Sequence, residues 1–119
     1  MTKPIFIGWD RCSTCKKAQK FLNEHHIEYE FRDIMIEIPT EEELTKSIVE
    51  SGFPIKRFFN VTGLMYRELN LKDRLKTMSE TEQISLLATD GKLIKRPLLI
   101  GEHGVLVGFN EAMYETLIQ

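Results

Sequence analysis

The sequence predicts an α/β fold with a four-stranded mixed sheet, and three observations support this class. An apolar run at residues 4–8 is followed at once by a helical pattern over 13–24, and then by an alternating run over 27–33. Two further apolar runs, 97–100 and 105–107, flank a short loop bounded by glycine. The stretch between these two groups of strands carries helical patterns, so we expect it to be an insertion.

The N-terminal unit is predicted to be a parallel strand, helix and strand. Residues from Pro4 to Gly8 show no polar alternation, as expected for a strand that is buried on both faces. The second strand places Ile27, Tyr29 and Phe31 on one face and charged residues on the other. Two strands that are joined by a helix pair in parallel.

The middle of the chain is predicted to be helical. Thr40 and Glu43 form a capping box for a helix that ends at Gly52, and Ser79 and Glu82 form a second box. No glycine-serine linker separates this stretch from the rest. We therefore expect a single domain over 1–119, with 1–36 and 92–119 as its core and 37–91 as a helical insertion. The predicted apolar anchors are Leu44, Ile48, Val49, Phe58, Phe59, Met65, Tyr66, Leu69, Ile84, Leu87 and Ala88.

The last third is predicted to be a hairpin and a helix. The strands 97–100 and 105–107 are joined by a four-residue loop over 101–104, and Asn110 caps the final helix. The complete order is strand, helix, strand, helical insertion, strand, strand, helix. This is the layout of a thioredoxin-like domain.

Cys12 and Cys15 are the two cysteines of the chain, and they lie between the first strand and the first helix. A thiol at a helix N-terminus meets unpaired N–H groups and the positive end of the helix dipole, which favour the thiolate and lower the pKa. Arg11, Lys16 and Lys17 add positive charge nearby. Cys15 shares the apolar face of the helix, so we assign Cys12 as the attacking thiol and Cys15 as the resolving one.

Two other interpretations of the cysteine pair stay open. A structural disulfide would close a loop too short to constrain the unfolded chain much. A zinc site needs four ligands, and the histidines are His25, His26 and His103. The first two fall at the predicted end of a helix, where the dipole favours histidine. The redox interpretation is favoured because a C-x-x-C stands beside a strand and a helix, and we expect no metal and no cofactor.

Composition excludes several function classes. The formal net charge is −2 and the charged residues are intermixed, which argues against direct binding of nucleic acid. No apolar stretch approaches the length of a membrane span or of a signal peptide core, so no membrane partner is expected. We expect a cytoplasmic protein, in which a C-x-x-C is catalytic or sensing.

Six stretches together resemble one known family, the glutaredoxin-type arsenate reductases, which include the Spx regulators that bind RNA polymerase. Within it, the chain is most similar to small bacterial members described only as arsenate-reductase-like. The resemblance covers nearly the whole length. The stretches that carry it are 12–18, 39–44, 58–63, 66–69, 93–97 and 107–109.

The resemblance implies roles for individual residues. Arg96 would stabilise the Cys12 thiolate or an anion bound to it, since guanidinium offers planar donors and keeps its proton. Pro97 would be a cis-proline that faces the cysteines. Trp9, just before the motif, and Ser13, within it, are further substrate-binding candidates. The alternatives are a surface arginine paired with an acid, and a tryptophan that only packs.

Two departures from the family pattern bear on the reaction. Asn60 and Phe109 stand where arsenate reductases carry two further arginines, which disfavours efficient capture of arsenate. Cys15 offers an internal resolving thiol, which favours thiol–disulfide exchange with a small or protein-bound disulfide. The implied reductants are of the glutathione, glutaredoxin or thioredoxin type.

The competing class is a redox-sensing transcription regulator of the Spx type, whose implied partner is the C-terminal domain of the RNA polymerase alpha subunit. Gly52 stands near a glycine that these regulators use in that contact. Helix termination explains Gly52 equally well. The chain also lacks a basic stretch at its end, so the enzyme is the preferred interpretation and arsenate reduction a second alternative.

Overall fold

Four strands form one mixed sheet in the computed structural model, which describes residues 3–102 and 104–118. The spatial order is β2-β1-β3-β4. β1 runs parallel to β2 and antiparallel to β3, and β3 runs antiparallel to β4. The predicted thioredoxin-like fold is therefore confirmed. The strands are β1 (Ile5–Gly8), β2 (Glu30–Asp33), β3 (Leu98–Gly101) and β4 (Gly104–Val107).

In the described residues, six α-helices surround this sheet, and four of them lie between β2 and β3 in the chain. Short 3-10 turns at Ile55–Phe58, Leu75–Thr77, Gly91–Leu93 and Thr116–Ile118 connect or extend them. No helix in the described part of the chain has both the length and the apolar character needed to cross a membrane. The helices are α1 (Ser13–Glu24), α2 (Glu41–Ser51), α3 (Leu64–Glu68), α4 (Leu71–Arg74), α5 (Glu80–Leu87) and α6 (Glu111–Glu115).

Each face of the sheet has its own apolar core. Successive residues of a strand point to opposite faces, so Ile7 and Leu98 enter one core while Phe6 and Leu99 enter the other. The first core holds the buried side chains of the helices between β2 and β3. The second core joins the sheet to α1 and α6 and contains Cys15. Cys15, the second cysteine of the C-x-x-C motif, is therefore part of a packed apolar core.

Helix α1 has the predicted bounds, but the strand after it is shorter than predicted. His26 adopts a left-handed conformation with φ of 55°, and the Ile27 N–H donates to the Leu22 carbonyl at 2.9 Å. This is a Schellman-type helix end, which fixes the residues that follow the helix. The strand predicted over 27–33 consequently begins at Glu30. Phe31, predicted on the buried face, is 42% exposed because β2 is an edge strand.

The hairpin also differs from the prediction. The expected four-residue loop over 101–104 is wrong, because Gly101 and Gly104 pair with each other and extend both strands. Glu102 and His103 connect them, and His103 lies outside the described residues. Gly104 has φ of +138°, a conformation that glycine adopts far more readily than other residues.

The helical stretch follows the predicted capping signals. Both capping boxes form, and Gly52 ends α2 in the left-handed conformation with φ of 73°. Phe58, Phe59 and Tyr66 are buried anchors, as predicted. Val49, however, is 75% exposed, because it lies one residue beyond the stripe that packs on the sheet. The division into a core and an insertion stays a prediction.

An ion pair fastens this helical stretch to the edge of the sheet. Arg32 on β2 donates to both carboxylate oxygens of Glu43 on α2, at 2.7 and 2.9 Å. Glu43 also accepts the Thr40 N–H at 3.0 Å, so one carboxylate caps the helix and holds the strand. The bond from Arg32 is the largest of the effects that lower the pKa of Glu43 to about 2.

We predict that Glu43→Gln destabilises the fold by about 1 kcal/mol at pH 7, a value typical of a partly exposed pair. Glutamine keeps the cap acceptor and loses the charge. Because the folded pKa lies below the unfolded value of about 4.3, the difference from wild type is present above that pH. It disappears as the pH falls toward 2. Urea unfolding at several pH values measures it, and Glu42→Gln in the same helical turn is the control. A difference that persists at pH 2 would contradict this account.

Candidate active site

The turn between β1 and α1 presents Cys12 at the start of a helix. Cys12 occupies the N-cap position with φ of −98° and ψ of 118°. Its N–H donates to the Trp9 carbonyl at 3.2 Å, which closes the turn, and its carbonyl accepts the Lys16 N–H at 3.1 Å. The first turn of α1 contains no acidic residue. The half-buried Cys12 sulfur therefore faces the positive end of the helix dipole without an opposing charge from that turn.

Cys15 lies one turn further along and is fully buried. Its sulfur packs against Gly8 at the end of β1. A Cβ on residue 8 would lie 3.1 Å from that sulfur and 2.6 Å from the ring of Phe6. Because residue 8 has no side chain, α1 packs closely on β1, and the Cys15 thiol is buried at this contact, one helical turn from Cys12.

The two sulfurs have opposite acidities. Partial burial alone would raise the pKa of Cys12, but the Cys15 N–H, the Cys15 thiol and the Arg96 guanidinium outweigh it, so the pKa is lowered. Burial raises the pKa of Cys15 to about 12, and a charge on Cys12 acts in the same direction, while the Trp9 N–H opposes both. Both thiols are free. At neutral pH, Cys12 is the better nucleophile and Cys15 keeps its proton.

Arg96 reaches this turn from a distant part of the chain. Its Nη1 donates to the Gly91 carbonyl at 3.1 Å, and its guanidinium carbon lies 5.5 Å from the centroid of the Trp9 ring. The buried Nε has no hydrogen-bond partner among the residues that the structure describes. Gly91 itself sits tightly, since a Cβ there would lie 2.5 Å from the Ile34 carbonyl oxygen. The guanidinium is thus held beside Cys12.

The segment around Arg96 is fixed by backbone bonds. The Arg96–Pro97 peptide bond is cis. Lys95 N–H donates to the Phe58 carbonyl, and Gly108 N–H donates to the Pro97 carbonyl, both at 2.8 Å. Pro97 is buried, which leaves little freedom for the arginine before it.

The other predicted binding residues occupy different environments. Trp9 is half-buried between two cations, with the guanidinium carbon of Arg11 at 6.0 Å from its ring centroid and that of Arg96 at 5.5 Å. Ser13 is exposed in the first turn of α1. Cys12, Cys15, Trp9 and Arg96 therefore form one constellation. The binding roles of Trp9, Ser13 and Pro97 stay predictions.

The departures from the arsenate reductase pattern leave one arginine acting on Cys12. The Asn60 amide donates to the Lys92 carbonyl at 3.4 Å, and Phe109 packs against Tyr114 with ring centroids 4.9 Å apart. Arg57 stacks on the ring of Phe53 at 4.3 Å. Neither position 60 nor 109 supplies a cation, and Arg57 is engaged elsewhere.

Packing and helix termination account for the positions of His25 and His26. His25 packs on Phe21 with ring centroids 4.2 Å apart, and His26 ends α1. No group of three or more histidine, cysteine, aspartate or glutamate side chains that could hold a metal occurs within residues 3–102 and 104–118. The arrangement suits sulfur chemistry between Cys12 and Cys15.

Two glycines shape the site in ways that the sequence does not predict. The pattern places Gly8 only in a strand, although glycine inside a strand signals close approach of another group. It places Gly91 at a helix end, and the role of that residue as the acceptor for Arg96 depends on tertiary contact. Tyr114 belongs to the predicted final helix, and no sequence signal shows that its ring lies in the same core as Cys15.

The comparisons with known proteins agree on one family. The model of the ArsC family matches residues 8–117. An ArsC family related protein from Bacteroides fragilis has 52% identity and a TM-score of 0.94, covering 98% of this chain and 98% of that one. A possible arsenate reductase from Streptococcus mutans has 38% identity and a TM-score of 0.89, covering 100% of both chains.

Sequence relatives include a regulator as well. The uncharacterised protein YusI of Bacillus subtilis is 48% identical over 110 residues, which cover 92% of this chain and 93% of YusI. The global transcriptional regulator Spx of Enterococcus faecalis is 28% identical over 100 residues, which cover 84% of this chain and 74% of the regulator. The chain is thus similar in sequence both to an uncharacterised protein and to a transcriptional regulator.

We predict that Arg96→Gln raises the pKa of Cys12, because it removes a cation beside the thiolate. The rate of alkylation by iodoacetamide is measured against pH, with the label located on Cys12 by mass spectrometry. Arg57→Gln is the matched control, since that guanidinium stacks on Phe53. Superimposable profiles for Arg96→Gln and wild type would show that Arg96 does not act on the thiol.

Proposed function

Because this chain belongs to the ArsC family, we propose that it is a thiol–disulfide oxidoreductase in which Cys12 attacks and Cys15 resolves. The observation that carries the proposal is the contrast between two sulfurs in one helical turn. One is half-buried with a lowered pKa, and the other is fully buried with a pKa raised to about 12. An attacking thiol needs the first property, while a resolving thiol is protected by the second until it is used.

The reaction proceeds in two displacements. The Cys12 thiolate attacks a substrate disulfide R–S–S–R′, forming a Cys12–S–S–R mixed disulfide and releasing R′S⁻, which takes a proton from solvent. Cys15 then loses its proton and attacks the Cys12 sulfur, which forms the Cys12–Cys15 disulfide and releases RS⁻. The substrate gains two electrons and the protein loses them. A dithiol of the glutaredoxin or thioredoxin type, or glutathione, returns the protein to its reduced state in the cytoplasm.

Arg96 supports the first displacement. Its charge and hydrogen bond favour the Cys12 thiolate. A tetrahedral oxyanion such as arsenate would need several such donors, and Asn60 and Phe109 offer no charge. The site therefore favours a disulfide over arsenate as the oxidised substrate.

We predict that Cys12→Ser abolishes reduction of a glutathione mixed disulfide, because the nucleophile is lost. Cys15→Ser accumulates a covalent adduct on Cys12, because the mixed disulfide lacks its internal resolving thiol. Coupled turnover measures the first effect, and intact-protein mass spectrometry measures the second.

Thr14→Ser, a conservative change between the two cysteines, serves as the control and should turn over like wild type. If Cys12→Ser and Cys15→Ser both behave as wild type does, the proposed reaction is wrong. If Cys15→Ser turns over normally without an adduct, the roles assigned to the two sulfurs are wrong.

A second candidate function is a redox-sensing regulator that contacts the alpha subunit of RNA polymerase. The named regulator among the relatives supports it. So does the end of α2, where Val49 is 75% exposed and a Cβ on Gly52 would meet nothing within 4 Å. Residues three apart share a helix face, so an exposed apolar side chain stands beside open space. This surface suits a protein partner.

For this candidate we predict that Val49→Lys weakens binding about tenfold to the C-terminal domain of the polymerase alpha subunit, because it places a charge in the contact. Binding is measured by calorimetry with reduced and with oxidised protein. Ile36→Lys is the control, since Ile36 is 84% exposed on a different segment. Absence of binding by wild type in both redox states would remove the regulator as a candidate.

A further inference from the structure

A row of exposed lysines leads away from the reactive thiol along α1. Residues four apart lie on the same side of a helix, and Cys12, Lys16 and Lys20 have this spacing. The Lys16 N–H donates to the Cys12 carbonyl, so the row starts at the cysteine itself. Lys16, Lys17 and Lys20 are all exposed, while the opposite side of α1 is buried. We call these three residues the lysine face.

Helix stability does not account for the lysine face. The helix dipole favours acidic residues in the first turn of a helix and basic residues in the last. Helices α2 and α5 have acidic residues in their first turns, whereas α1 has no acid in its first turn and no base in its last. Like charges three and four residues apart also repel each other. The lysine charges therefore work against the helix that carries them.

The lysine charges are also unpaired within the protein. In residues 3–102 and 104–118, no ion pair joins Lys16, Lys17 or Lys20 to an acidic side chain. The nearest acids in sequence are Asp10 and Glu24, which stand before and after the row. The chain as a whole has a formal net charge of −2. Positive charge is thus concentrated beside the thiol of a protein that is slightly acidic overall.

Ionisation of Cys12 does not explain the full length of the row. Lys20 lies about 12 Å along the helix axis from Cys12, at about 1.5 Å per residue. Charges at the surface are screened over about 8 Å at physiological ionic strength. The cation that lowers the pKa of Cys12 is Arg96. Lys20 is therefore placed to act on a bound molecule that extends along α1.

We propose that the lysine face binds an acidic segment of a protein substrate, next to the cysteine whose disulfide Cys12 attacks. This inference rests on the proposed function and adds the class of substrate. A small disulfide held at Cys12 ends well short of Lys20. An extended peptide covers about 3.3 Å per residue, so about four residues reach from the attacked sulfur to Lys20. The bonds that form and break are those of the two displacements above, and the lysines only bind the carboxylates.

The first test compares three peptide disulfides that differ only in charge. Each is a symmetrical disulfide of a peptide with one central cysteine, flanked on both sides by glutamates, glutamines or lysines. Chromatography measures release of the reduced peptide by the reduced full-length protein, and each rate is divided by the rate at which 2-mercaptoethanol cleaves the same disulfide. At low salt we expect the glutamate peptide to react about tenfold faster than the glutamine peptide, because complementary charge speeds association. High salt should remove the difference.

The second test uses variants of the lysine face. In Lys16→Gln/Lys20→Gln the rate with the glutamate peptide should fall to that of the glutamine peptide, whose own rate should not change. Alkylation of Cys12 by neutral iodoacetamide should also match wild type. Lys72→Gln/Lys76→Gln is the matched control, since these exposed lysines have the same spacing on and after α4. That control should keep the preference for the glutamate peptide.

The other outcomes each contradict a different statement. Equal rates of wild type with the glutamate and glutamine peptides, or an equal loss in both double variants, overturn the role of the lysine face and leave the proposed function intact. Slower alkylation or lower stability toward urea in Lys16→Gln/Lys20→Gln also overturns it, because the lysines would then serve the thiol or the fold.

A small dianionic disulfide, 3,3′-dithiodipropionate, tests the size of the substrate. We expect Lys20→Gln to slow the glutamate peptide and to leave the rate with 3,3′-dithiodipropionate unchanged. An equal loss with both would show that a small acid is the ligand, and the inference of a protein segment would be wrong. If reduced wild-type protein cleaves none of these disulfides, the proposed function itself is contradicted, whatever the lysines bind.

Discussion

The close packing of α1 on the end of β1 is the constraint on which the site depends. Gly8 leaves no side chain between the strand and the helix, so the Cys15 sulfur enters the apolar layer while Cys12 stays at the helix start. A single helical turn thereby crosses from half-exposed surface to dry core. The environments at its two ends shift the acidities of two identical groups in opposite directions. The proposed roles of the attacking and the resolving thiol follow this gradient, because the thiol that ionises easily is also the more accessible one.

The second requirement is met by a segment far away in sequence. Arg96 depends on the Gly91 carbonyl and the Trp9 ring for its position. Gly91 in turn lies against the Ile34 backbone, just after β2. The position of Arg96 therefore depends on the packing of the 3-10 turn Gly91–Leu93 against the edge of the sheet. The helices between β2 and β3 therefore do more than cover the sheet. They lead the chain back toward the cysteines. The hydrogen bond from the Lys95 N–H to the Phe58 carbonyl then fixes the segment that carries Arg96.

Local signals in the sequence predicted local structure well. Residues close in sequence predict the bounds of α1, both capping boxes and the left-handed helix end at Gly52. They also predict that Cys15 is more deeply buried than Cys12. The failures have tertiary causes. His26 takes a left-handed conformation that its residue type does not predict, so β2 begins later in the sequence than expected. Phe31 is half-exposed because β2 lies at the edge of the sheet. The place of Arg96 was expected from a family resemblance, since no periodicity connects residue 96 with residue 12. The tight fits at Gly8 and Gly91 depend on which backbone passes beside them, and that is decided only by the folded chain.

The aromatic side chains near the cysteines bear on what the site can accept. Phe109 stands where a cation would serve an oxyanion, and its ring is committed to the layer that holds Tyr114, Phe21 and Cys15. Replacing a charge by a ring lowers the local polarity, which weakens the capture of a highly charged anion. The same change keeps water away from the buried sulfur and strengthens any hydrogen bond to it. The proposed preference for a disulfide over a hydrated oxyanion agrees with these contacts, in which Arg96 is the cation that lies beside Cys12.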